Sequence, residues 1–562
     1  MQNNNSELEL QAQEERRQYV EELVNDVTND FKKRQEDRRY LERQWELNLN
    51  FLSGNHYSYI NGRGDIADEN ADYFWQNREV FNHIAPIIDT RLAKFAQISP
   101  TISVRPKSDD DAEVVASSLA EKVIESAFKR ANIEGVVKKV TAWSETCGSG
   151  FYKIVWDARG GNQIGTIDGE RVFEGDVSVL PVSPFEIFPD SLYTEEIKNC
   201  GSIIHAKAVP VKDIEEKYGV VVQGENIGVF NLKNKSTNNY LNKEESMLYD
   251  CAIVIERYER PSKQFPLGRL VSVCNDKLLY VGDLPYINGE YGERDFPFVK
   301  QDSFSISGNF FGVSVIERLI PVQRAFNAVK NRKHEFLNRL SMGIMTVEDG
   351  SIDVDDLQDE GLSPGKVIVY RQGAKAPEMM KEMDMPDDFS KEEEKLLNEF
   401  VIISGVSDVT SSASNASLSS GSALELLIQQ DNSRLMPTAE EIRRSYLDIA
   451  RQTIRLFSQF TVGYRAVGYM DKFNRSKVVY ADERALRSDD VYLDNENELL
   501  YTNIQKKNML FKLYESGILS DDDGKIRQNV KEKILSLLGY KELDYQNGIA
   551  HLQEERAQDE NK

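Results

Sequence analysis

The chain has 562 residues, 40% hydrophobic and 29% charged, with a formal net charge of −24. That length asks for two to four packed units instead of one core, and no apolar run approaches the roughly twenty residues of a membrane span. The acid excess speaks against a protein built to grip duplex DNA, because such binding rests on neutralised phosphates and shows as a basic face. The default reading of such a charge is solubility alone; the sharper one is a chain that must not stick to a polyanion nearby.

The first predicted element is a long helix over about residues 6–50. This stretch has no Gly or Pro and mixes twelve acidic with eight basic residues. Its sparse apolar positions, Leu23, Val27, Phe31, Leu41, Trp45 and Leu49, make one narrow stripe, suited to a surface or to a neighbouring subunit. Ser53-Gly54-Asn55 ends it. In the loop that follows, Arg63-Gly64-Asp65 matches an adhesion tripeptide, too short a match to carry weight. Residues 84–88 start a second helix that ends before Pro100. Asp109-Asp110-Asp111 opens a third through about Ala131, its acids suited to the positive end of the helix dipole. From Phe151 the period changes. Residues 151–156, 177–182, 203–209 and 252–258 are β-branched or aromatic runs. Residues 270–273 and 278–281 around Asn275-Asp276 read as a hairpin, and 211–218 as a short helix. The region is mixed and mainly antiparallel, which makes the fold class α+β.

Helix returns near Ser307, where Val315, Leu319, Val322, Phe326, Val329, Phe336 and Leu340 keep a three-to-four spacing. Pro321 should kink this helix or mark its first turns, and Lys330, Arg332, Lys333 and Arg339 make its second half basic. Residues 341–386 form an acidic insert in which 343–347 and 366–370 read as two strands. Between Glu348 and Glu399 sixteen acidic residues face six basic ones. Ser390 with Glu393 forms a capping box for a helix that carries Leu396, Leu397, Phe400 and Val401 and stops at Ser404-Gly405. From Val409 to Leu424 no residue is charged, and seven of the sixteen are serine. Two further capping boxes, Ser422 with Glu425 and Thr438 with Glu441, restart helix. The second carries Ile442, Tyr446, Ile449, Thr453, Leu456 and Phe460. Helical density resumes at Met509, Leu510 and Leu513 and at Val530, Ile534, Leu537 and Leu538, before a charged tail.

Catalytic motifs are missing. No HExxH, GxSxG or kinase set occurs. Residues 361–366 look like a phosphate loop, but the leading spacing is short and Val367 stands where a hydroxyl is needed. Cys147, Cys200, Cys251 and Cys274 form no CxxC pair and read as reduced thiols, and five scattered histidines give no metal-ligand spacing. The polar N-terminus lacks the apolar core of a secretory signal. The expectation is a protein that is not an enzyme, with no catalytic, cofactor-binding or metal-binding residues, no cofactor and no membrane association.

What remains informative is an order of parts. A long helix leads into the acidic insert and a second helix leads out, which puts the insert at the far end of a hairpin. An uncharged serine loop follows, able to sit in a tight space without gripping phosphate. Taken alone, that loop is as well explained by a disordered linker, and the insert is better explained by a solvated surface lobe.

The local wording and order resemble the portal proteins of tailed phages over roughly residues 20–460. Phe51-Leu52-Ser53-Gly54-Asn55-His56-Tyr57 is similar to the early aromatic-glycine segment of that family. Asn82-His83-Ile84-Ala85-Pro86-Ile87-Ile88-Asp89 followed by Pro100-Thr101-Ile102-Ser103-Val104-Arg105-Pro106 resembles its next signature. Gly312-Val313-Ser314-Val315-Ile316-Glu317-Arg318-Leu319-Ile320-Pro321-Val322-Gln323 is similar to the start of its stem helix. Ser404-Gly405-Val406-Ser407-Asp408 with Ser420-Gly421-Ser422-Ala423-Leu424 resembles the segment around its tunnel loop. The outline is nearest to the portals of short-tailed phages, although the long C-terminal helical barrel of some of them is missing.

The resemblance implies a closed ring, usually of twelve copies, at one capsid vertex of the virion, assembled in the host cytoplasm. It implies a wing over residues 1–310, a first stem helix over 311–340, a clip over 341–386 and a second stem helix over 387–404. A tunnel loop over 405–422, a long helix returning to the wing over 423–490 and a helical crown with C-terminal tail over 491–562 complete it. The implied partners are the terminase, then adaptor and tail proteins, the major capsid and scaffolding proteins, and double-stranded DNA in the channel. Clip docking falls to Asp353, Asp355, Asp356, Asp359 and Glu360, and the tunnel loop to Ser411, Ser412, Ser414, Asn415, Ser417, Ser419 and Ser420. Lys330, Arg332 and Lys333 are candidates for transient DNA contact, against the favoured reading that they pair with the acids at 391–399. The alternatives are another virion structural protein, such as a connector or scaffold, and an enzyme acting on nucleic acid. The latter would need a phosphate loop or a clustered acidic metal site.

Overall fold

Arg38 interrupts the N-terminal helix, and the reason lies far along the chain. In the computed structural model α1 (Gln2–Asp37) and α2 (Arg39–Ser53) meet there, where a single helix was expected. The buried guanidinium of Arg38 donates to the carbonyls of Pro184 and Phe185, both at 2.8 Å, and of Ile187, and to Glu42 at 2.8 Å. Its centre lies 3.7 Å from the Phe188 ring centroid. Burial lowers the Arg38 pKa and Glu42 opposes the shift. The α1 stripe is also used differently from expectation. Leu23, Val24, Val27 and Phe31 bury against Phe188, Ile204 and Val271 of the same chain.

The structure describes residues 2–69, 78–106, 110–167, 170–228, 247–289, 291–342, 345–350, 352, 369–379, 387–406, 421–461, 465–470, 476–481, 490–493 and 513. After α2 come β1 (Ser58–Ile60), β2 (Ile66–Asp68), α3 (Ile84–Phe95), β3 (Ile102–Val104), α4 (Asp111–Arg130) and α5 (Ile133–Cys147). Strands then dominate: β4 (Ser149–Asp157), β5 (Gln163–Ile167), β6 (Glu170–Phe173), β7 (Asp176–Val182), β8 (Ile187–Pro189) and β9 (Ser202–Pro210). Next are α6 (Val211–Tyr218), β10 (Glu225–Gly228), β11 (Met247–Glu259), β12 (Arg269–Cys274), β13 (Lys277–Gly282) and β14 (Phe298–Asp302). The described chain closes with α7 (Val315–Met342), β15 (Met345–Thr346), β16 (Glu378–Met379), α8 (Asp387–Ser404), α9 (Gly421–Phe460), β17 (Arg465–Met470), β18 (Ser476–Ala481) and β19 (Val491–Leu493).

The four apolar runs expected as strands are β4, β7, β9 and β11. β11 is the spine of an antiparallel sheet in the order β13-β12-β11-β9-β8, with β10 also on β11. The β12–β13 turn places Asn275 and Asp276 at φ of 44° and 60°, the left-handed pair that suits a two-residue hairpin. A second antiparallel sheet, β14-β4-β7, has β4 at its centre. Tyr152 and Ile154 of β4 pack with Val137 and Val140 of α5 and with Leu435, Ile442 and Ile449 of α9 in the largest core.

Two local expectations fail, both helix caps. Thr438 does not cap a helix: α9 runs unbroken from Gly421 to Phe460, and the buried Thr438 hydroxyl donates to the Ser303 carbonyl at 2.9 Å. Ser390 lies inside α8, whose first turn carries Asp387 and Asp388. The partner of β15 is β16, through Met345–Met379 and Thr346–Glu378. Of the strand expected at 366–370, residues 366–368 lie outside the described residues and Val369 and Tyr370 are in no strand. The segment expected to open the crown begins with β19, paired to β3; the apolar residues expected in crown helices lie outside the described residues, apart from Leu513.

Candidate functional site

The candidate site is the helical hairpin of α7 and α8, and its first turn is set by a serine. The Ser314 hydroxyl accepts from the Ile316 amide at 3.0 Å, capping α7, while donating to the Glu145 carbonyl at 2.5 Å. Just before it, the backbone at Gly312 crosses that at Gly148. A Cβ on Gly148, whose φ is +95°, would lie 2.1 Å from the Gly312 carbonyl oxygen. Only glycine fits there.

Contacts between the helices run in opposite order along the chain. Phe326 meets Phe400 with ring centroids 6.0 Å apart, Lys330 and Lys333 both reach Glu393, the latter at 3.0 Å, and Phe336 meets Phe389 at 6.2 Å. The helices are therefore antiparallel. Met342 and Asp387 stand at the tip that leads to the acidic insert, and Val315 and Ser404 at the base. The 18 residues of α8 separate the two ends by about 27 Å at 1.5 Å per residue. Pro321 sits within the solvent-facing side of α7 without ending it.

Two of the three candidate DNA-contact residues are engaged. Burial alone would raise the Glu393 carboxyl, but Lys330 and Lys333 outweigh it and hold the group below the ordinary carboxylate range. The pairing of this basic stretch with the acidic helix is thus observed. Arg332 is exposed. Burial and the nearby Lys330 ammonium lower the His83 pKa. Beyond the tip, β15 and β16 are joined by the Thr346 hydroxyl donating to the Glu378 carbonyl at 3.0 Å. Glu348 accepts from the Lys375 amide at 2.9 Å. The docking candidates Asp353, Asp355, Asp356, Asp359 and Glu360 lie outside the described residues. So do Ser411, Ser412, Ser414, Asn415, Ser417, Ser419 and Ser420.

Two polar constellations at this hairpin were not foreseen. Along α7, Gln323, Asn327 and Asn331 project at four-residue spacing and hold the extended segment 79–83 as a strand edge would. Asn331 accepts from the Glu79 amide and donates to its carbonyl, both at 3.0 Å. Asn327 accepts from the Phe81 amide at 3.2 Å. Gln323 donates to the Phe81 carbonyl at 2.7 Å and accepts from the His83 amide at 3.0 Å. Asn327 also stands 2.9 Å from His56 Nδ1, whose Nε2 is 3.0 Å from the Phe51 carbonyl. Burial pushes His56 down to about 4, so the ring is neutral at pH 7, donating from Nε2 and accepting at Nδ1.

The second constellation is a sealed ion pair at the base. Arg91 and Glu145 are 1% and 0% exposed. Arg91 Nε and Nη2 donate to the two carboxylate oxygens at 2.5 and 3.2 Å, and Nη1 donates to the Ser404 carbonyl at 2.5 Å. Glu145 also accepts from the Ser303 hydroxyl at 2.7 Å. With Ser314 on the Glu145 carbonyl and Thr438 on that of Ser303, this knot joins α3, α5, α7, α8 and α9. A sequence cue for it existed: Ile84, Ile88, Arg91 and Phe95 share one helical stripe, so Arg91 stands where an apolar residue belongs.

Among the described residues no group of three or more His, Cys, Asp or Glu side chains is placed to hold a metal ion. All four cysteines are free and buried. Burial raises their thiol pKa values, that of Cys200 to about 12 and that of Cys274 to about 11. No helix among the described residues is long and apolar enough to cross a membrane.

What the fold defines is an α+β protein whose distinctive part is a helical hairpin standing on a sealed polar base. The family described as Phage P22-like portal protein matches residues 35–496, and the chain belongs to that family. A comparison with curated proteins gives no match.

Proposed function

We propose that this chain is one subunit of a portal ring at a single capsid vertex, through which double-stranded DNA is packaged and ejected. α7 and α8 are its stem, residues 341–386 the clip that docks terminase and then adaptor or tail proteins, and 405–422 the tunnel loop. The observation that carries this reading is the antiparallel register of α7 and α8. It puts the chain ends leading to the acidic insert and to the serine loop about 27 Å apart, at opposite ends of one hairpin. Charge supports it. Lys330 and Lys333 are turned to Glu393, which takes two of the hairpin's cations away from a sliding polyanion. A ring requires two different complementary faces on each copy, and both helices expose charge: Glu392, Glu394 and Glu399 with Lys391 and Lys395 on α8, and Arg318 and Arg332 with Glu335 on α7.

Negative-stain micrographs of the purified protein should show rings with a central hole, and the preparation should not hydrolyse ATP. Monomers at every protein and salt concentration would defeat the proposal. For the clip, reversing charge at Asp353, Asp355 and Asp356 together should weaken binding of terminase or adaptor without disturbing the rings. Unchanged binding of both partners would remove the docking role from the insert.

A further inference from the structure

The sealed base of the hairpin contains two bonds of very different kind, made by one guanidinium. Arg91 is held by Glu145 through a two-pronged pair, and by Ser404 through a single bond to a carbonyl. Losing the first would leave a bare charge in a site from which water is excluded, next to the rings of Phe95 and Phe304 at 5.3 and 5.8 Å. Losing the second would not, because Glu145 would still neutralise Arg91. The Ser404 carbonyl lies in the last turn of α8, where no further helical amide is available to it.

We infer that Arg91 is a positioning residue: it latches the bend at residues 404–406 through the Ser404 carbonyl, while Glu145 keeps its charge matched whether the latch is closed or open. The rest of the bend is local. The Gly405 amide donates to the Val401 carbonyl at 3.0 Å, and the Val406 amide to the Ser404 hydroxyl at 3.2 Å. Gly405 is in the left-handed region at φ +69°, and a Cβ there would lie 3.0 Å from the Arg434 Cβ. The bend thus leans on α9 near residue 434. The first thirteen residues of α9 extend about 20 Å beyond that contact. The bend thus touches α9, and Glu145, which holds Arg91 through its carboxylate, holds the first turn of α7 through its carbonyl. The latch matters for the channel because the bend leads straight into residues 405–422, and to that extent it rests on the portal reading. Its own test does not.

Hydrogen exchange on the full chain gives that test. Arg91→Lys retains a positive charge against Glu145 but loses the planar fork that serves both acceptors. Exchange at the Gly405 and Val406 amides should rise at least about tenfold more than at β4 and β11 amides, whose rise reports the global cost of the substitution. Unchanged exchange at the two bend amides would overturn the inference, and so would an equal rise across β4 and β11. If Arg91→Lys does not fold, the wild-type chain still decides. A latch that opens by itself lets Gly405 and Val406 exchange by a route insensitive to low denaturant, while β4 amides follow global unfolding. If the bend amides exchange only with β4, no latch exists. Neither readout depends on ring formation, so the portal reading can fail in micrographs while the latch stands, or the reverse.

Discussion

The α7–α8 hairpin is held by one ion pair at its base and by another partway along its length, and the two differ in burial. At the base, Arg91 and Glu145 are sealed. Toward the tip, Lys330 and Lys333 share Glu393 with side chains 17–24% exposed. A sealed pair adds little over a well-packed apolar alternative but penalises heavily the loss of either partner. A pair near solvent is weakened by screening and costs little to break. The base is therefore strictly specified, while the pairing farther along the hairpin tolerates change.

The sharpest way to break this contrast is Glu145→Ala, which leaves Arg91 buried and unmatched. We expect a loss of about 3–5 kcal/mol in denaturant unfolding; a loss below about 1 kcal/mol would mean that water reaches the knot. Next comes Asn327→Ala, which orphans the Phe81 amide and His56 Nδ1, with an expected cost of about 1–3 kcal/mol and faster proteolysis around residues 79–83. A midpoint equal to wild type would show that the amide ladder holds nothing. The smallest effect belongs to Glu393→Gln, at most about 1 kcal/mol at neutral pH. Because Glu393 titrates below its unfolded value, its contribution is present above the unfolded carboxylate pKa and fades as pH falls through the lower folded one. The gap between wild type and Glu393→Gln should close in acid. A gap that widens there would reverse the assignment.

Much of the architecture was legible because it is periodic or local. Val315, Leu319, Val322 and Phe326 announce the buried face of α7 at helical spacing, and Asn275-Asp276 announces the β12–β13 turn. Two of the failures, at Thr438 and Arg38, share a cause: a distant partner overrode a local cue. Thr438 has the sequence dress of a cap, but the Ser303 carbonyl takes its hydroxyl in mid-helix. Arg38 has no local reason to break a helix, and its acceptors are some 150 residues away. The antiparallel register of α7 and α8 was readable from the order of parts. The knot beneath it was not, since Arg91, Glu145, Ser303 and Ser404 are neighbours only in the folded chain.

The burial of all four natural thiols has a practical consequence. With Cys147, Cys200, Cys251 and Cys274 enclosed and their deprotonation suppressed, the folded protein is a quiet background for thiol chemistry. A single reporter introduced by Leu397→Cys, at a position 38% exposed on α8, would take a maleimide probe without removal of any natural cysteine. Movements of the hairpin can then be followed by fluorescence in an otherwise unaltered chain.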